Sequence, residues 1–122
     1  MKLSAIRLFV HDLAGAKAFY TDTLGLRLTD DGSQHGYCLF ESAGIQFIIE
    51  AVASDAQAED QALVGRFIGV SFAVENINAE YSRLLALGVE FTGSPEKQFW
   101  GGALATFKDP AGNEIQLVQY GV

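Results

Sequence analysis

The sequence predicts an α+β fold built from two tandem β-α-β-β-β modules, and three observations lead there. Residues 6–13 read IRLFVHDL and residues 70–77 read VSFAVENI, so that Val10 matches Val74, Asp12 matches Asn76 and Leu13 matches Ile77, each pair 64 residues apart. A second pair of signatures closes the copies: residues 43–48 read AGIQFI and residues 111–118 read AGNEIQLV, which pairs Gln46 with Gln116, 70 residues apart. Finally, hydrophobic periodicity switches from two to between three and four in the same order in both halves. The chain is read as one domain over residues 1–122, with a first module of about residues 3–52, a linker of about 53–66 and a second module of about 67–120. A shared site is expected where the copies face each other.

The elements follow in order. Over residues 5–10, Ile6, Leu8 and Val10 fall on one side and Ala5, Arg7 and Phe9 on the other, the mark of a strand. Residues 69–74 repeat it, with Val70, Phe72 and Val74 opposite Gly69, Ser71 and Ala73. The aliphatic side is the bed for the following helix, and the other is left to a ligand. Asp12 is placed to cap a helix whose stripe is Leu13, Ala16, Phe19, Tyr20, Thr23 and Leu24, ending at Gly25. Asn76 and Gly88 bracket its counterpart, with Ile77, Tyr81, Leu84 and Leu85 as the stripe. Strand patterns then fall near residues 26–29, 37–40 and 45–51, and near 89–92, 103–107 and 114–119. Residues 54–64 are rich in Ala, Asp and Gln and are predicted to be a partly helical linker capped at Ser54. Asp109-Pro110-Ala111-Gly112 is a turn joining the last two strands.

A chain of 122 residues that is 49% hydrophobic has enough apolar side chains for a core. Eight basic against fifteen acidic residues give a formal charge of −7, which argues against a nucleic-acid backbone or an anionic membrane as partner. A neutral or basic small molecule is the easier one. Cys38 is the single cysteine, so no internal disulfide can form, and Met1 to Ser4 lead into a strand broken by Arg7 rather than into an apolar leader. No apolar run approaches the roughly 18 residues that span a bilayer. These features predict a soluble protein of the reducing cytoplasm.

Asp12-Leu13, Phe19-Tyr20, Leu24-Gly25-Leu26 and the run from Asp109 to Leu117, DPAGNEIQL, occur in an order and spacing that resemble the vicinal oxygen chelate superfamily. That group contains glyoxalase I, extradiol dioxygenases, fosfomycin-modifying enzymes and bleomycin-resistance proteins, and the resemblance covers nearly the whole chain. It implies a cupped mixed sheet with helices on its outer face, and a homodimer. In its metal enzymes, His or Glu side chains from the first and last strand of each module hold a divalent ion. The corresponding places here are Ala5, Gln46, Gly69 and Gln116. Two of these have no side-chain donor and two offer a neutral amide, a poor set for zinc, nickel or iron. The expectation is therefore no metal and no cofactor. His11 and His35 read as loop residues.

Extending the alternation from Gln46 and Gln116 places Glu50, Glu114, Ile48 and Val118 on the open face with Arg7, Phe9 and Ser71. A few polar groups among apolar walls is the usual make-up of a small-molecule pocket. An ion pair of Arg7 with Glu50 or Glu114 is an equally ordinary use of these residues. Bleomycin-resistance-like members often carry Trp-Gly before the seventh strand, where it resembles a ligand-stacking wall. Here that is Trp100-Gly101, and an indole suits a planar or cationic group. Tyr37 is a weaker candidate on the matching strand of the first copy. No nucleophile with an adjacent base and no phosphate-binding glycine loop is present, and Cys38 sits in a strand pattern where an inert buried thiol is the default.

The binding set expected is thus Arg7, Phe9, Tyr37, Gln46, Glu50, Ser71, Trp100, Glu114 and Gln116, with no catalytic residue, for a planar neutral or cationic organic molecule. A metal-independent binding protein for resistance or sequestration is the leading reading. A glyoxalase-like lyase, isomerase or dioxygenase with a metal site outside these positions, and a non-catalytic interaction subunit, are the alternatives.

Overall fold

Alternating apolar side chains set the first strand, β1 (Ala5–Val10), whose Leu8 and Val10 are completely buried while Arg7 before them is exposed and Phe9 between them is half-buried. The computed structural model describes residues 1–121 and divides the chain into two units, Met1–Arg66 and the part from Phe67 onward. In the first unit β1 is followed by α1 (Leu13–Ala18), β2 (Arg27–Gly32), β3 (Tyr37–Ser42), β4 (Ile45–Ala51) and a short α2 (Ala58–Gln61). The sheet order is β1-β4-β3-β2, with β1 parallel to β4 and the other pairs antiparallel. The Asp12 side chain caps α1 by accepting from the Gly15 N–H at 3.0 Å, as its position predicts.

One face of this sheet makes the core. Leu8, Val10, Cys38, Phe40, Phe47 and Ile49 are buried there, with Ala16 and Tyr20 from the helical segment. Burying side chains of this size contributes about 1.5–3 kcal/mol each. The Tyr20 ring stands edge-on to Phe47 at 5.6 Å and tilted to Phe40 at 6.0 Å. The helix differs from the single α-helix expected up to Gly25: it leaves α geometry after Ala18 and continues as a π-helical turn over Phe19–Thr23, closed by Leu24 N–H on the Phe19 carbonyl at 3.0 Å. Packing of Tyr20 at this widened turn offsets its poorer hydrogen-bond geometry.

The second unit holds β5 (Phe67–Ala73), α3 (Ile77–Ala86), β6 (Glu90–Phe91), β7 (Glu96–Lys97), β8 (Ala103–Lys108) and β9 (Glu114–Gln119). Its order is β5-β9-β8-β6, with β7 also paired to β8 and β5 parallel to β9. Asn76 caps α3 by accepting from the Ala79 N–H at 3.0 Å. Ile77, Leu84, Phe107, Ile115 and Leu117 are buried, and Phe91 bridges Tyr81 at 4.7 Å and Phe107 at 5.7 Å. The architecture is the α+β fold of two modules that the sequence predicts.

Four details depart from it. Glu96 and Lys97 pair with Leu104 and Ala103, a two-residue strand between the strand patterns read near 89–92 and 103–107. The linker helix starts after Gln57 rather than Ser54, because Gln61 folds back and its amide donates to the carbonyls of Ala53 at 3.0 Å and Ser54 at 2.9 Å, holding those residues in a loop. Leu85 is exposed, since α3 turns only Ile77 and Leu84 fully inward. The fourth concerns register: Arg7 faces Ile48, whereas Ser71, at the same distance before its capping residue, faces Gln116. The ladders therefore match Gln116 with Ile48 and Gln46 with Glu114, not Gln46 with Gln116. A bulge in β5 between Phe67 and Ser71, spanning Gly69 with its φ of +77°, adds a further difference by setting Phe67 rather than Gly69 against Glu114. Among the described residues no helix is long and apolar enough to cross a membrane.

Candidate ligand-binding site

The register of the first sheet fixes what its open face presents. Directly opposed residues point to the same side, so Ala5, Arg7 and Phe9 of β1 share a face with Gln46, Ile48 and Glu50 of β4 and with Tyr37 of β3. Three of the expected residues converge. Arg7 Nη2 donates to Glu50 Oε1 at 2.9 Å while its Nε donates to Oε2, a two-pronged pair. The Arg7 guanidinium carbon lies 5.3 Å from the centre of the Phe9 ring. The hydrogen bond and charge of Glu50 raise the Arg7 pKa above its ordinary value, so this guanidinium stays charged throughout.

These three residues form one wall of a cavity of about 570 Å³ in the first unit. The opposite wall was not foreseen: it comes from the linker, through Ala53, Ala56, Asp60, Leu63 and Arg66, with Ala51 and Val52 at the floor. The linker is held against β1 by a parallel bridge between Phe9 and Val64, by Val52 N–H on the Val10 carbonyl at 2.7 Å, and by His11 Nδ1–H on the Val52 carbonyl at 2.9 Å. The signal was present in the sequence as Asp60 and Arg66 flanking Leu63, but a charged, alternation-free segment gives no direction for its side chains.

Other expected residues stand apart from this cavity. Tyr37 is the cross-strand neighbour of Glu50, yet its ring covers Gly32, where a Cβ would overlap it, and its hydroxyl donates to Asp30 at 2.9 Å. Gln46 is exposed at the far end of the same face, opposite Ala5. In the second unit Ser71 is exposed beside Gln116, whose amide donates to Thr106 Oγ1 at 3.2 Å, and Glu114 is opposed by Lys108. Trp100 lies over Gly102, which has no room for a side chain, and tilts against Tyr120 at 5.8 Å. It remains 42% exposed, so one part of the indole is anchored and another is open.

A second hollow of about 500 Å³ runs along α1 on a floor of Leu13, Ala14 and Ala18. Its cation, Lys17, is tied to Asp31 at 2.6 Å, and no aromatic surface lines it. The Lys17 ammonium, with the Ser33 hydroxyl and N–H, holds the Asp31 carboxyl well below the usual carboxylate range. Beneath them, burial pushes the Cys38 thiol up, which makes it a poor nucleophile.

The first strands and last strands are where the family's metal enzymes hold their ion, and the residues here do not fit one. Of the four expected places, Ala5 faces Gln46, Gly69 lies in the bulge of β5 without a side chain, and Gln116 is faced instead by Ser71: a methyl group, two neutral amides and a hydroxyl. Glu50, the nearest carboxylate on the first face, is held by Arg7. Among the described residues no three His, Cys, Asp or Glu side chains cluster as a metal would require.

With two matched modules and this open face, the class is settled by comparison. The Glyoxalase/Bleomycin resistance protein/Dioxygenase superfamily profile matches residues 2–117, and the chain belongs to that family. It is 30% identical to YraH of Bacillus subtilis (strain 168) over 96% of this chain and 97% of that protein. A superfamily member from Sphaerobacter thermophilus DSM 20745 has a similar structure, with a TM-score of 0.79 and 26% identity over 98% of this chain and 97% of that one. TnmS3, an antibiotic-binding protein from Streptomyces sp. CB03234, gives a TM-score of 0.76 and 27% identity over 98% and 96%.

Proposed function

We propose that this protein binds a small planar organic molecule without a metal ion, in a resistance or sequestration role. The observation that carries the reading is the cavity of about 570 Å³ in which Arg7, already stacked on Phe9 and clamped by Glu50, meets an apolar floor. Its size and its few fixed polar groups among apolar walls suit a small ligand. The similarity to TnmS3 supports the same class of function. Trp100 is assigned as a second planar surface, held by Gly102 and Tyr120, and Ser71, Gln116, Gln46, Glu114 and Tyr37 as polar groups that orient ligands on the open faces. The ligand is neutral or cationic, and the working form is a cytoplasmic homodimer, in keeping with the single buried thiol.

Saturation-transfer NMR tests this with 2-naphthalenemethanol and chelator-treated protein. Wild type is expected to give transfer, and Phe9→Ala to weaken binding about tenfold with the fold intact. No transfer to wild type, or transfer that requires added nickel, zinc or iron, would overturn the proposal.

A further inference from the structure

The Arg7–Glu50 pair has a geometry that decides which ligands the cavity can accept. Both oxygens of Glu50 are engaged by Arg7 Nε and Nη2, and the guanidinium is stacked on Phe9, so neither charge is offered whole to a newcomer. The rest of the lining balances too: Arg7 and Arg66 stand against Glu50 and Asp60. An ion that enters loses hydration and meets no uncompensated counter-charge, whereas a neutral ring loses little and gains the flat surfaces. The formal charge of −7 on the whole chain pulls toward cations, but beyond about 8 Å at physiological salt such attraction is largely screened. The local pair therefore outweighs the global charge.

We infer that the Arg7–Glu50 pair is the specificity determinant of this cavity, selecting a neutral planar ligand by cancelling its own charge. The inference rests on the reading of the cavity as a ligand site. It makes the pair a switch. Removing Glu50's charge releases Arg7 to an anionic ligand, and removing Arg7's charge releases Glu50 to a cationic one. The side chains of the pair are 60% and 27% exposed, so neutral replacements leave the core untouched.

The test is calorimetric titration of three probes of one shape: 2-naphthalenemethanol, 2-naphthylmethylammonium and 2-naphthoate. Wild type is expected to bind the alcohol about tenfold tighter than either ion. Glu50→Gln should make naphthoate the tightest, Arg7→Gln should make the ammonium the tightest, and the double variant should return the preference to the alcohol. Melting curves accompany each titration, and Glu50→Met or Arg7→Met carries the same charge change if a Gln variant does not fold. An unchanged ranking across all four proteins, or a wild type that prefers an ion, overturns the inference while leaving the binding function standing. Failure of wild type to bind any of the three overturns the binding function and the inference with it.

Discussion

Five residues before the capping side chain stands Arg7 in the first module and Ser71 in the second, and two residues later stand Phe9 and Ala73. The strand that faces each continues the contrast, with Glu50 opposite Phe9 and Val118 opposite Ala73. One module thus carries a guanidinium, an aromatic ring and a carboxylate where its copy carries a hydroxyl, a methyl and an isopropyl group. The helix-facing sides stay alike, with Leu8 and Val10 matched by Phe72 and Val74. Core positions are held by packing in both copies, while the open face is free to diverge, and divergence there is what gives the first module its polar cavity.

The hairpins that end the modules differ in the same way, and they supply the largest expected effect. In the second, the buried Asp109 carboxylate accepts from the N–H groups of Ala111 at 3.0 Å and Asn113 at 2.9 Å and from the Asn113 amide at 3.1 Å. Asp109→Ala leaves buried donors unpaired and is expected to cost about 3 kcal/mol in urea unfolding. A loss near zero would mean that this turn is no more braced than its exposed counterpart over Ser42 to Gly44. Next comes Trp100→Ala, expected to weaken ligand binding by about 1 kcal/mol with cooperative unfolding retained. If binding is unchanged and only the melting temperature falls, Trp100 serves its own module through Gly102 and Tyr120 and offers no surface to a ligand. The smallest effect belongs to the first hairpin, where Ala43 holds a φ of +51°. Ala43→Gly relieves that strain and is expected to stabilise by up to about 1 kcal/mol in the same unfolding assay.

Periodicity made the strands, both helix caps and the duplication legible, because a buried face writes its spacing into the sequence. An ion pair of Arg7 was legible with Glu50 or Glu114 as its partner, and the register of β1 against β4 selects Glu50. Register was not. The partners of Arg7 and Ser71, Ile48 and Gln116, are 68 residues apart rather than the 70 of the shared Gln motif, and so the match of Gln46 with Gln116 is replaced by Ile48 with Gln116. The linker wall was hidden for a different reason: Leu63, Asp60 and Ala56 are aimed by hydrogen bonds of Gln61 to distant carbonyls, not by any repeat of their own.

The central claim is that a cavity between β1, β4 and the linker receives a planar molecule unaided by metal. Amide-resolved NMR titration of chelator-treated protein with 2-naphthalenemethanol tests it most directly. The account predicts shifts concentrated at Phe9, Ala51, Val52, Ala53 and Leu63, saturating with a single binding constant and unaltered by added zinc or nickel. Shifts that gather along α1 instead, or that arise only after metal is supplied, would contradict it.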